Sequence, residues 1–503
     1  MNDRDVFDRL TEYCRETALL ESISYTLEWD ERTYMPKGGR EHRTNQMTYL
    51  AGKIHHRRTD PQVGDWIASL RESEQAADPY GDFGTTIRLI DQDYQRACKL
   101  PQPLVEAMTR ATAIGQQRWD DARKENDFKS FLPCLEEIIR LKIESAEHLA
   151  DGGDLYDTLL DEYEPDAKSE QLAEVFKSLR AELVPLVAAI RESTTKPNTD
   201  LLRRSFPVEA QRKFCLQAAA AIGFDFQRGR LDETSHPFCT SLGPSDCRIL
   251  TRYDEHWFPG AFYGTLHEAG HGIYDQGLRS DWFGLPPGTF VSLGIHESQS
   301  RMWENMVGRS LPFCTHFFGD MRKAFPAALS DVEAGDFHFA VNTVEPSLIR
   351  VEADEVTYNL HIIIRFELEQ QLIKGGLQPR DLPDAWNQKY QDYLGITPPN
   401  DADGVLQDVH WSAGLIGYFP TYTLGNLYAA QRFHAAEESL GDLHAMFSKG
   451  QFDPLRQWLH DRIHRHGRVY TPAELIKNAT GKAITSQPLI DYLKSKFSRL
   501  YAL

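Results

Sequence analysis

His267, Glu268 and His271 lie in the segment Thr265-Leu266-His267-Glu268-Ala269-Gly270-His271-Gly272 and form an H-E-x-x-H pattern. On a helix, side chains at i and i+4 project from one face, so the two imidazoles are spaced to grip a single metal ion. The glutamate between them can act on a water bound to that ion. Hydrolysis is the chemistry this set suggests, because zinc lowers the pKa of bound water and polarises a carbonyl while the carboxylate relays the proton. A purely structural zinc is usually closed by four protein ligands and has no use for a general base. Glu268 therefore weighs against a metal-stabilised interaction protein.

A catalytic zinc needs a third protein ligand and one open position. The extended pattern H-E-x-x-H-x-x-G-x-x-H is absent, since Tyr274 and Gly277 stand where its glycine and third histidine would be. The best candidate is Glu297, in the helical-looking stretch Leu293-Gly294-Ile295-His296-Glu297-Ser298-Gln299-Ser300-Arg301-Met302-Trp303-Glu304-Asn305. Its neighbour His296 is the rival.

Six segments follow in order: His236-Pro237-Phe238, Asp246-Cys247-Arg248-Ile249-Leu250-Thr251, the H-E-x-x-H segment, His296-Glu297-Ser298-Gln299, Ile349-Arg350-Val351-Glu352-Ala353-Asp354, and Gly404-Val405-Leu406-Gln407-Asp408-Val409-His410-Trp411. Together they resemble the ordered motif set of the carboxypeptidase Taq family of metallocarboxypeptidases. Leu27-Glu28-Trp29-Asp30 near the start and Gly417-Tyr418-Phe419-Pro420-Thr421-Tyr422 with Leu424-Gly425-Asn426 are similar to it too, so the resemblance spans nearly the whole chain. Cys247 and Leu250 depart from the expected residues, whereas Asp246, Arg248 and Thr251 are kept, which touches packing rather than chemistry.

The resemblance implies a mainly α-helical metallopeptidase fold with a small β-sheet beside a deep active-site groove. It implies His267, His271 and Glu297 as metal ligands, Glu268 as general base, one divalent ion per chain (zinc, with cobalt as the alternative), and a homodimer. The expected substrates are peptides with a free C-terminus.

A carboxypeptidase, unlike a helical oligoendopeptidase, needs a cation for the terminal carboxylate, and the planar fork of arginine suits it. Arg350 is the leading candidate. A helical pattern over 349–365 places it on one stripe with Asp354, Thr357, His361 and Arg365. Such a stripe can line a wet cleft or face bulk solvent, where an Arg350–Asp354 pair is an ordinary feature. His236, His410 and Tyr422 are further substrate-binding candidates, because an imidazole or phenol can stabilise a developing oxyanion. Pro237 biases His236 to extended backbone, in a loop or edge strand.

The elements that must position these groups read mostly as helices. Leu132 to Ala150 has helical periodicity, and Thr471-Pro472-Ala473-Glu474 is a capping box with proline at the first helical position. The alternation over Arg248 to Tyr253 is the best strand candidate. No Gly/Ser linker, low-complexity tract or repeat interrupts residues 236–422. The 503 residues are therefore read as one catalytic unit, 1–503, with a helical part to about 230, a metal-site part over about 231–430 and C-terminal helices over about 431–503.

Met1-Asn2-Asp3-Arg4-Asp5-Val6 is charged and lacks an apolar signal-peptide core, and the apolar runs fall short of a membrane span. Seven cysteines without C-x-x-C spacing suit reduced thiols in the cytoplasm, and nothing in the spacing of Cys239 and Cys247 marks either as a ligand. The net charge of -19 argues against nucleic acid or anionic membranes as partners, and means that local cations must attract an anionic peptide terminus.

Overall fold

Helices carry most of the chain from Asp3 to Tyr501, and one three-stranded sheet interrupts them just before the H-E-x-x-H segment. The computed structural model describes residues 2–503. Helices span Phe128–Leu149 and Pro472–Thr480, and the second starts with the expected box, Thr471 and Glu474 capping each other's backbone. No helix among the described residues is long and apolar enough to cross a membrane.

Strands β1 (Gly229–Glu233), β2 (Phe238–Gly243) and β3 (Asp246–Thr251) lie in the order β1-β3-β2, with β3 parallel to β1 and antiparallel to β2. Side chains alternate across a strand, so the Asp-x-Arg-x-x-Thr motif splits between two faces. On one, Arg248 pairs with Asp246 at 2.9 Å and stacks on Trp29, 4.1 Å from the ring centroid, which fastens the first helix, Asp3–Thr33, to the sheet. On the other, Cys247 and Ile249 are buried toward the H-E-x-x-H helix. The strand ends on Thr251, whose hydroxyl donates to the Ala261 carbonyl at 3.2 Å.

The H-E-x-x-H helix runs Phe258–Gly277, with Pro259 in its first turn, where no backbone N–H is needed. Phe258, Ala261, Phe262, Leu266, Ala269 and Ile273 are all buried, so the helix crosses the main core rather than lying on it. A helix over Leu293–Arg301 packs beside it, capped by Ser292 accepting from the Ile295 amide, and continues as a π-helical segment over Met302–Gly308. A third helix, Pro420–Leu440, closes the other side. Two glycines permit this closeness. A Cβ on Gly270 would stand 2.7 Å from the Ser300 Cα, and one on Gly425 would stand 2.6 Å from the Glu297 Cγ.

The stretch over 349–365 departs from the single helix expected from its pattern. Arg350–Glu352 is one 3-10 turn, and the regular helix spans Tyr358–Ile373. The cause is Asp354, whose carboxylate accepts from the Val356 and Thr357 amides and the Thr357 hydroxyl and so opens a new turn leading into the later helix instead of continuing the earlier one. Of the two settings open to the stripe, bulk solvent does not apply: His361 and Arg365 are fully buried.

Candidate metal centre

Three ligand atoms converge where the H-E-x-x-H helix meets the Glu297 helix. The Glu297 Oε2 lies 3.7 Å from His267 Nε2 and 3.4 Å from His271 Nε2, and the three atoms fall within 4.8 Å of one another. Ligand distances of about 2.0–2.1 Å in a tetrahedral site require ligand–ligand edges of roughly 3.3–3.4 Å, so the set fits one zinc-sized ion. Both imidazoles turn Nε2 inward because Nδ1 is engaged elsewhere. His267 Nδ1 meets Glu304 Oε2 at 2.8 Å, and His271 Nδ1 meets His296 Nδ1 at 2.6 Å. His296 in turn bonds Asp275 Oδ1 at 3.0 Å. Of the two residues that compete in sequence for third ligand, Glu297 thus faces the histidine pair and His296 stands behind it.

Glu297 is itself held. Arg301 Nε donates to its Oε1 at 2.7 Å, which leaves Oε2 for the histidines. Arg301 also lies 3.5 Å from Glu304, which belongs to the π-helical segment, and over the Tyr358 ring at 4.3 Å. The sequence pattern signalled Glu297 but not Glu304, Arg301 or Asp275. The only local hint for Glu304 is its place seven residues after Glu297, two helical turns along the same helix.

Charges in this buried set respond to one another. Burial pushes the Glu268 carboxyl up to about 7, with Glu297 and Glu304 adding to the rise and His267 opposing it. A divalent cation at the triad would act in the opposite direction. Burial lowers His271 to about 4, which keeps its imidazole neutral, although Glu297 opposes the shift. For His267, burial is outweighed by the Glu297 carboxylate and the Glu304 hydrogen bond, and the imidazole rises to about 9. Glu297 moves well below the usual carboxylate range: burial opposes this, and Arg301 and the two histidines prevail.

Arg350 is buried, and its partner is Asp408, not Asp354. Its Nε and Nη2 reach Asp408 Oδ1 at 3.0 and 2.8 Å, and Nη1 donates to the Tyr358 hydroxyl at 3.1 Å. Arg365 takes the other oxygen, Nε to Oδ2 at 2.6 Å. Two guanidiniums therefore share one carboxylate, leaving one positive charge uncompensated. Burial alone would raise Asp408, yet Arg365 and Arg350 hold it far below the carboxylate range. Tyr358 lies under both Arg301 and Arg350, which connects this cluster to the Glu297 side of the triad.

His410 Nε2 stands 3.3 Å from the Tyr422 hydroxyl, and Arg350 lies 5.1 Å from the Tyr422 ring centroid. Burial lowers His410 to about 4 against the pull of Asp408, and burial raises Tyr422 well above 10, so both side chains are neutral at pH 7. His236 sits apart, exposed in the turn between β1 and β2, in the loop setting Pro237 suggests. It hydrogen-bonds none of the other candidate residues among those described.

A family model described as carboxypeptidase Taq (M32) metallopeptidase matches residues 9–497. The chain is 48% identical to thermostable carboxypeptidase 1 of Thermus thermophilus over 100% of both chains. It is 39% identical to carboxypeptidase 1 of Bacillus subtilis over 99% of this chain and 98% of that one. Its fold superposes with a TM-score of 0.97 on the crystal structure of an M32 carboxypeptidase from Deinococcus radiodurans R1, at 42% identity over 99% of this chain and 100% of the other.

Proposed function

The chain belongs to the carboxypeptidase Taq (M32) family of metallopeptidases and is a metallocarboxypeptidase, and on that footing we propose how its residues divide the work. His267, His271 and Glu297 hold one divalent ion, zinc in the first instance and cobalt as the alternative. The observation that carries this reading is the convergence of two Nε2 atoms on Glu297 Oε2, with the buried Glu268 interposed on the same helix.

When bound, such an ion lowers the pKa of a water and polarises a peptide carbonyl. Glu268 takes the proton of the attacking water and returns it to the leaving amine. Its carboxylate accepts no hydrogen bond from any described residue, so its oxygens are free for that exchange. The neutral Tyr422 hydroxyl, with His410 behind it, donates to the carbonyl oxygen as negative charge develops there. Arg350, the less buried member of the two-arginine cluster, receives the terminal carboxylate of the peptide. His236, on its exposed turn, contacts the incoming substrate. One residue is released per cycle, with broad side-chain preference.

Residues 1–503 act as one catalytic unit. The family resemblance supports a homodimer, and seven free thiols suit a reducing, cytoplasmic setting. Mass spectrometry of free-ended and C-terminally amidated peptides after incubation with zinc-loaded protein tests the reading. Ladders shortened one residue at a time from free ends are expected. Internal cleavage of both peptide forms at equal rates would make the chain an endopeptidase.

A further inference from the structure

Beyond His296, which bonds His271 on one side and Asp275 on the other, lies a second cluster of ligand atoms: Cys239, Cys247 and Asp275. We infer that these three residues form a separate, thiolate-rich cation site that takes a divalent ion of the zinc class.

The sheet brings the sulfurs together. In the β2–β3 register Cys239 lies opposite Ile249 and Ser241 opposite Cys247, so the two cysteines are diagonal neighbours on one face of the hairpin. That face is the one packed on the H-E-x-x-H helix, where Asp275 follows His271 by one turn. Cys239 Sγ lies 3.7 Å from Cys247 Sγ and 3.9 Å from Asp275 Oδ2. With zinc–sulfur bonds of about 2.3 Å, a tetrahedral site needs a sulfur–sulfur edge of about 3.8 Å and a sulfur–oxygen edge of about 3.6 Å. The two observed spacings lie close to these edges, and all three donor atoms fall within 4.8 Å of one another. His296 fixes Asp275 through Oδ1, so Oδ2 is the oxygen that faces the thiols.

Access and charge agree with the donor set. Cys247 is buried, while Cys239 borders a cavity of about 330 Å³ that is also lined by Cys247, Asp275, His296, Arg228 and Arg279. The cavity offers an entry path and room for a fourth ligand from solvent. Two thiolates and a carboxylate around a divalent ion leave one net negative charge, and Arg228 stands on the cavity wall to meet it, while Arg279 on the same wall is already paired with Asp82. Two sulfur donors select soft or borderline ions over magnesium or calcium. Binding exchanges the two thiol protons for the ion and releases them to solvent.

Cobalt titration of the reduced, chelator-stripped full chain tests the inference. A sulfur-to-cobalt charge-transfer band in the near ultraviolet reports the thiolate site, because the His267–His271–Glu297 set contains no sulfur. A failure of that triad reading therefore leaves this test intact. Wild-type protein is expected to bind about two ions per chain with the band present, and Cys239→Ser/Cys247→Ser about one ion with no band. Cys247→Ala, which removes a single sulfur atom from the packed face, should also lose most of the band. Zinc should slow alkylation of Cys239 roughly tenfold in wild type. The inference falls if wild-type protein shows no band or if the band survives in the double variant.

Discussion

Arg350→Ala is the sharpest perturbation of the exopeptidase reading, because the cluster predicts what remains after it. Arg350 and Arg365 share Asp408, so the pair Arg365–Asp408 persists in the variant and no buried charge is left alone. The variant removes only the uncompensated charge. At about 4 Å and an effective dielectric near 20, one unit charge is worth roughly 4 kcal/mol to an incoming carboxylate, within the range of about 2–5 kcal/mol seen when one member of a buried pair is truncated. The value kcat/KM for a free-ended peptide should fall by about 10²–10³. Arg350→Lys keeps the charge and loses the fork that now spans Asp408 and Tyr358, so it should recover about half of that free energy. The assay is a two-by-two cycle of wild type and Ala variant against free and amidated peptide. Both changes delete one interaction, so amidation should hurt wild type strongly and add little to the variant. Equal hydrolysis of both peptides by wild type, or two penalties that simply add, would refute the assignment and leave Arg350 as a structural partner of Asp408.

Glu268→Gln should retain metal and lose kcat by about 10²–10⁴, read by steady-state kinetics beside elemental analysis; near-normal kcat would place the base elsewhere. Exhaustive chelation should abolish hydrolysis while circular dichroism stays helical, and zinc or cobalt should restore it at about one ion in the triad per chain. Gly425→Ala should gain up to about 1 kcal/mol in helix propensity, but its methyl meets the Glu297 Cγ, so metal affinity should drop about 10–100-fold in competition with a chromophoric chelator. Burial, aided by Lys496 and Arg499, depresses His338 from 6.5 to about 4, so the unfolded chain binds the extra proton between those values and stability is lost as pH falls through the window. His338→Gln should remove up to about 1.4 kcal/mol per pH unit of that acid slope in denaturant titrations, and an unchanged slope would exclude His338 as a contributor.

Legibility in the sequence followed the reach of the interaction. His267 and His271 could be paired from sequence because a helix fixes the i, i+4 geometry by itself, whereas Glu297 competes with His296 in the pattern and is singled out by the family resemblance. Glu304 could not, since its partner His267 lies 37 residues away and the π-helical segment that carries it has no period to read. The stripe from Arg350 to Arg365 left two settings open for the same reason. A polar stripe can line a cleft or face solvent until its counter-charge is found, and Asp408 arrives 43 residues after Arg365 from a different part of the fold. Asp354 added a departure of local origin, because an aspartate in a helical pattern can equally accept from the amides just after it and open a new turn. Cys239 and Cys247 lack any recognised ligand spacing in sequence, yet the hairpin register makes them neighbours. Buried polar groups in this chain are thus legible one at a time by type, and their chemistry emerges only where two elements close on each other. The glycines that let those elements close, Gly270 and Gly425, carry as much of the site as the ligands they bring together.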